Sequence, residues 1–129
     1  MRFNGFHHIG LWVKDSEKSL DFYTKGLGGT VTFSFPMGDS GKTVYLVDLG
    51  ENAVIEIIPL GDGAEEINAH WAHVALRTGD AQAAYDAAIK AGALSRTAPS
   101  DVQLGSMAVR NAFVLGPDNE VIEFFQVKG

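Results

Sequence analysis

The chain contains no cysteine. That excludes a disulfide framework, a thiolate metal site and a catalytic thiol, so any bound metal must be held by nitrogen and oxygen donors. Basic residues are scarce, 10 Lys and Arg against 16 Asp and Glu, and they nowhere form a run. With a net charge of −6, nothing here would neutralise phosphates, so neither a nucleic-acid nor an anionic-membrane partner is expected. No stretch approaches the roughly 20 apolar residues of a membrane-spanning helix. Residues 1–8 also lack the apolar core of a signal peptide, so a cytoplasmic location is expected. What remains is an ordinary globular composition, 46% hydrophobic and 20% charged over 129 residues. A chain of that length makes one compact domain, or two small modules sharing a core.

The order of elements favours two modules. Phe6-His7-His8-Ile9-Gly10-Leu11-Trp12-Val13 is a β-rich run, after which Asp15 or Ser16 offers a helix cap. Leu20, Tyr23 and Leu27 recur at helical spacing to about Lys25, and Gly26, Gly28 and Gly29 stop the helix. Strand-like runs follow at 30–35, 43–49 and 53–58, separated by glycine-containing turns. The polar stretch 61–69 reads as a linker. Then the pattern restarts: a strand at 71–77, a helix capped by Asp80 and closed by Gly92, and strands near 94–97, 107–115 and 121–127. The offset that carries His8 onto His73 also carries Asp15 onto Asp80 and Leu20 onto Tyr85. Chance rarely preserves element order, cap and polar residue together. The expected fold is α+β, with a βαβββ module over 5–60 and a second over 70–127.

Each module carries one His in its opening strand and one Glu in its closing strand. The spacing from His8 to Glu56 nearly equals that from His73 to Glu123. Alternate side chains of a strand face opposite sides of a sheet. His8 therefore shares a face with Phe6, Gly10 and Trp12, opposite Leu11 and Val13. Glu56 lies opposite Ile55 and Ile57, His73 opposite Val74 and Leu76, and Glu123 opposite Ile122 and Phe124. All four point away from the helix layer. A carboxylate flanked by Val54-Ile55 and Ile57-Ile58, or by Val121-Ile122 and Phe124-Phe125, cannot be buried ionised without a partner. Two unrelated core histidines and two ion-paired glutamates would satisfy that requirement. A shared cation held by His8, Glu56, His73 and Glu123 explains the repetition as well. One divalent ion is expected, and donor type alone does not choose among Ni, Zn, Co, Mn and Fe.

In Phe6-His7-His8-Ile9-Gly10-Leu11, Ser19-Leu20-Asp21-Phe22-Tyr23-Thr24-Lys25-Gly26-Leu27-Gly28, Val54-Ile55-Glu56-Ile57, His73-Val74-Ala75-Leu76 and Gly116-Pro117-Asp118-Asn119-Glu120-Val121-Ile122-Glu123, the chain resembles the vicinal oxygen chelate superfamily. Within that superfamily (glyoxalase, bleomycin resistance and dioxygenase proteins) it is most similar to glyoxalase I-like members. The resemblance covers residues 5–127 and implies that 1–129 is one domain. It implies tandem βαβββ modules forming an open, cup-shaped mixed sheet with helices on the outer face. It also implies that His8, Glu56, His73 and Glu123 are the metal ligands. It does not extend to substrate anchoring. The Arg that usually follows the first His by four positions is Trp12 here, and the polar residue after the second ligand is Leu60.

The activity implied is that of a lactoylglutathione lyase-type lyase or isomerase, moving a proton α to a carbonyl through a metal-bound enediolate. A ligating glutamate that loosens would be the base, Glu123 before Glu56. The substrate would be a small molecule with adjacent oxygens, and without the usual anchors it need not be a glutathione adduct. Trp12, Trp71 and Phe125 would line its apolar part. Arg77 and Arg110 could meet an acidic group; of Arg110 and Asn111 one should face inward. Open sheet edges favour a homodimer. A metal-free binder like bleomycin-resistance proteins and an Fe(II) extradiol-type dioxygenase are the alternatives, and metal analysis separates them.

Overall fold

A computed structural model describes residues 2–60, 70–116 and 121–129. The fold is α+β: eight strands, β1 (Phe6–Val13), β2 (Thr30–Pro36), β3 (Thr43–Asp48), β4 (Val54–Pro59), β5 (His70–Arg77), β6 (Leu94–Leu104), β7 (Met107–Leu115) and β8 (Val121–Val127), with helices α1 (Ser16–Asp21) and α2 (Ala81–Lys90). Both modules therefore have the order βαβββ. The expected linker at 61–69 and most of the turn at 116–119 lie outside the described residues. The chain divides into two compact bodies, His8–Ala72 and Met1–His7 with His73–Gly129.

In the His8–Ala72 body the strand order is β2-β3-β4-β1, with β1 and β4 parallel and the other pairs antiparallel. Leu11, Val13, Val47, Ile55 and Ile57 form its core, and Leu20 and Tyr23 pack on it from the helix. That is the face alternation expected from the sequence. Asp15 caps α1, accepting from the Lys18 amide at 3.1 Å. The helix departs from expectation at its end. After Asp21 it widens into a π-helical turn, Phe22–Gly26. The Thr24 hydroxyl donates to the Leu20 carbonyl at 2.7 Å, competing with the ordinary helical ladder. Gly28 at φ 80 then reverses the chain, and Gly29 lies so close to Tyr23 O and Val47 that a Cβ would meet them at 2.6 and 2.7 Å.

In the other body the order is β5-β8-β7-β6, again with only the opening and closing strands, β5 and β8, parallel. Ala81 and Ala84 of α2 are fully or almost fully buried against Ala112, Val114 and Phe124. The small alanines let the helix approach the sheet closely, and Asp80 caps it, accepting from Ala83 N at 3.0 Å. Strand β6 is longer than the run at 94–97 suggested. It continues through Pro99 to Leu104, with register shifts between Ser95 and Thr97 and between Thr97 and Ser100. An edge strand with bulges accommodates a proline that a central strand would not. The N-terminal residues belong to this body: Asn4 N donates to Arg77 O, Arg77 N donates to Gly5 O, and Phe3 stacks on Phe124 at 5.8 Å.

Candidate metal half-sites

Parallel pairing sets the geometry of each His–Glu pair. Glu56 is in register with Gly10 of β1, and His8 lies two residues earlier on the same face. Glu123 is in register with Ala75 of β5, two residues after His73. In both cases a buried residue with a minimal side chain stands opposite the glutamate. Neither Gly10 nor Ala75 can obstruct the carboxylate as it reaches toward the imidazole. His8 Nε2 is 3.3 Å from Glu56 Oε1, with the two side chains 2% and 10% exposed. His73 Nε2 is 3.2 Å from Glu123 Oε1, with the side chains 11% and 4% exposed. The two bodies thus carry equivalent pairs, built by the same register on equivalent strands.

The surroundings of the pairs differ. Glu123 Oε2 accepts a hydrogen bond from Asn111 Nδ2 at 3.0 Å, and Asn111 is buried. The Phe113 ring meets the His73 ring edge-on, with centroids 5.9 Å apart at 89°. Phe113 is in register with Glu123, and Leu46 is in register with Glu56. Two positions earlier on those strands stand Asn111 and Val44, both buried.

The donors fit a divalent ion. Imidazole nitrogen and carboxylate oxygen suit the borderline metals of the first transition row. Ligand bonds of about 2.1 Å set at right angles place neighbouring donor atoms about 3 Å apart. Each pair has nearly that spacing. Burial adds to the fit, because an ionised carboxylate so far from water requires a compensating charge or strong donors.

Other residues expected at the site are placed less favourably. Trp12 is half-buried and Trp71 is 57% exposed. Arg77 is half-buried, its backbone tied to the N-terminal residues. Phe125 does not line an open pocket: it is 2% exposed, closed into a cluster with Ala75 and Val109 and covered by the His7 ring at 4.0 Å. Arg110 does not meet the candidate site either. It shares its side of β7 with Ala112 and Val114, and its Nη1 binds Asp101 Oδ1 at 3.1 Å. Asn111 takes the inward place instead. Its register was ambiguous in the sequence, where both residues of the Arg110-Asn111 step are polar. A recess of about 470 Å³, lined in part by Lys14, Ser16, Lys42 and Tyr45, contains none of the expected ligands.

Comparison with known proteins agrees with this architecture. The model of the Glyoxalase/Bleomycin resistance protein/Dioxygenase superfamily matches residues 5–124. A probable lactoylglutathione lyase of Vibrio cholerae serotype O1 is 28% identical over 125 residues, 94% of this chain and 89% of that protein. Methylmalonyl-CoA epimerase from Mycobacterium tuberculosis superposes with a TM-score of 0.78 at 19% identity, covering 98% of this chain and 90% of the other. The Mn(II)-bound glyoxalase from Novosphingobium aromaticivorans superposes with a TM-score of 0.71 at 15% identity, over 97% of this chain and 39% of that one.

Proposed function

We propose a function from the premise that this chain belongs to the Glyoxalase/Bleomycin resistance protein/Dioxygenase superfamily: it is a divalent-metal-dependent lyase or isomerase that transfers a proton α to a carbonyl. His8, Glu56, His73 and Glu123 would together hold one ion, within one chain or between the bodies of two copies. The observation that carries this reading is the repetition of one buried His–Glu pair, with the same register and nearly the same spacing, in both modules. The names of the relatives, a lyase, an epimerase and a Mn(II)-bound glyoxalase, support the same class of reaction.

When bound, the ion supplies Lewis-acid polarisation of a carbonyl next to the carbon that loses its proton. The chain supplies the rest. His8, buried, and His73, with its side chain 11% exposed, would fix the donor frame. One ligating glutamate takes the proton and returns it, Glu123 being the first choice for that base and Glu56 the second. The substrate is a small molecule with adjacent oxygens. Trp12, half-buried on the His8 side of its strand, would face the substrate where a guanidinium is usual in the family, so an adduct of a thiol without glutathione's carboxylates fits better. A homodimer is the proposed assembly, and neither nucleic acid nor a membrane is a proposed partner. Among the described residues no helix is long and apolar enough to cross a membrane.

The test is metal analysis of the purified protein combined with hemithioacetal isomerisation assays across several thiols. We expect one ion per site, activity lost to a chelator and restored by divalent metal, and solvent deuterium incorporated at the α carbon. Activity with no stoichiometric metal would sink the reading. Stoichiometric metal with neither turnover nor exchange on any adjacent-oxygen substrate would confine it to a binding role.

A further inference from the structure

We infer that Asn111 is a positioning residue for Glu123, setting which carboxylate oxygen is offered to the cation. This rests on the proposed metal centre. An ionised carboxylate only accepts hydrogen bonds, so the amide must face it with its NH₂ group, as it does at 3.0 Å from Oε2. The opposite oxygen, Oε1, is the one beside His73 Nε2. With Oε2 engaged by the amide, the carboxylate plane is fixed and Oε1 is presented on the imidazole side. Both Asn111 and Glu123 are buried, at 8% and 3% exposure, so water competes little for this bond.

The same register rule puts different side chains beside the two glutamates. Two residues before the partner of each glutamate stand Asn111 in β7 and Val44 in β3. Val44 is 3% exposed and its side chain carries no donor. An amide buried at one of two equivalent places costs desolvation that its hydrogen bond must offset. It is therefore better explained by the carboxylate it orients than by packing, which valine serves at the other place. Asn111 touches no reacting atom in this assignment; it acts through Glu123.

The experiment uses Co(II) as probe on the purified full chain, comparing wild type, Asn111→Leu, Asn111→Ser and His73→Ala. Leucine keeps the branched shape, with somewhat more bulk, and has no donor. Serine is small enough to be accommodated and too short to reach Oε2, so one variant at least should fold, as circular dichroism would show. Outer partners of ligands commonly change metal affinity about 10–100-fold, and a loss of that size is expected in both Asn111 variants. The Co(II) absorption bands should also shift, which a merely structural residue would not cause. Wild-type affinity and spectrum in a folded Asn111 variant would overturn the role of Asn111 alone. Wild type that binds no Co(II) more tightly than His73→Ala would overturn both this role and the metal centre beneath it.

Discussion

Replacing Glu123 with glutamine separates the cost of holding a buried carboxylate from what the carboxylate does for a cation. The change preserves shape at a side chain only 4% exposed. In the metal-free protein, the contacts to His73 and Asn111 lose their charge assistance. Such bonds are worth about 1.5–3 kcal/mol when one partner is charged and about 0.5–1.5 when neither is, so two of them lose about 2 kcal/mol together. Against that loss, the buried ion no longer has to be stripped of water, a relief of several kcal/mol by order of magnitude. These terms oppose each other and are similar in size. The metal-free variant should therefore unfold within about 2 kcal/mol of wild type, on either side.

With metal present the two proteins should diverge. A ligand at 100 times its dissociation constant stabilises the folded state by about 2.7 kcal/mol. For a chain of this length that corresponds to about 10 °C in melting temperature. If glutamine weakens binding a hundredfold, the same metal concentration equals the variant's dissociation constant, and the gain falls to about 0.4 kcal/mol. That is about 1–2 °C. The assay is a thermal melt with and without divalent metal, at a concentration fixed from the wild-type affinity. A variant that keeps the full metal-induced shift would refute Glu123 as a ligand, whatever its activity. A variant already unfolded without metal would refute the balance of terms above.

Three further outcomes test the framework. In Gly29→Ala the new methyl would sit 2.6 Å from Tyr23 O in the π turn and 2.7 Å from Val47 Cγ1 in β3. Overpacking of that kind costs about 1–3 kcal/mol, so a urea midpoint equal to wild type would contradict the close approach. Asp80→Ala removes the oxygen that accepts from Ala83 N. Loss of such a cap costs about 1 kcal/mol, to be read from the same titration, with Asp80→Ser expected to recover most of it. Asp101 is held below the usual carboxylate range, first by its hydrogen bond from Arg110 and then by Lys128. A lowered folded-state pKa means its contribution is present above the ordinary carboxylate value and lost as pH falls through the lowered one. Asp101→Asn should thus be slightly less stable than wild type at pH 7 and indistinguishable below the carboxylate range; a gap that persists in acid would argue against the pairing.

Much of this arrangement is legible in the sequence because it depends on local rules. Strand alternation separates His8 from Leu11 and Val13, and Glu56 from Ile55 and Ile57, and the core of the first body is formed by those same aliphatic residues. The two aspartate caps are likewise local. What was not legible depends on partners distant in sequence. Phe125 looks like a pocket residue until Val109 and Ala75 close around it. The choice between Arg110 and Asn111 is made by the β7–β8 register, which pairs Phe113 with Glu123 and sends Asn111 to the carboxylate. Strand β6 passes through Pro99 because β7 offers it a bulged edge, which no pattern within 94–104 announces. The π turn after Asp21 comes with a threonine hydroxyl bound to one particular carbonyl, which helical spacing does not announce.

The repetition that makes the half-sites recognisable also makes their differences informative. Gly10 and Ala75 are both minimal, so clearance for the glutamate is common to the two modules. The flanking strand is not common. At the first pair it offers Val44 and Leu46, aliphatic and buried. At the second it offers Asn111, donating to the carboxylate, and Phe113, edge-on to the imidazole. An aliphatic wall fixes a carboxylate only by shape, whereas an amide fixes it by direction, at a buried site where direction is costly to violate. If both glutamates served only to neutralise a cation, one wall would do for both. Unequal walls fit unequal duties for the two carboxylates. Glu123 is oriented by the Asn111 amide, which is why both cobalt affinity and the cobalt spectrum should respond to Asn111.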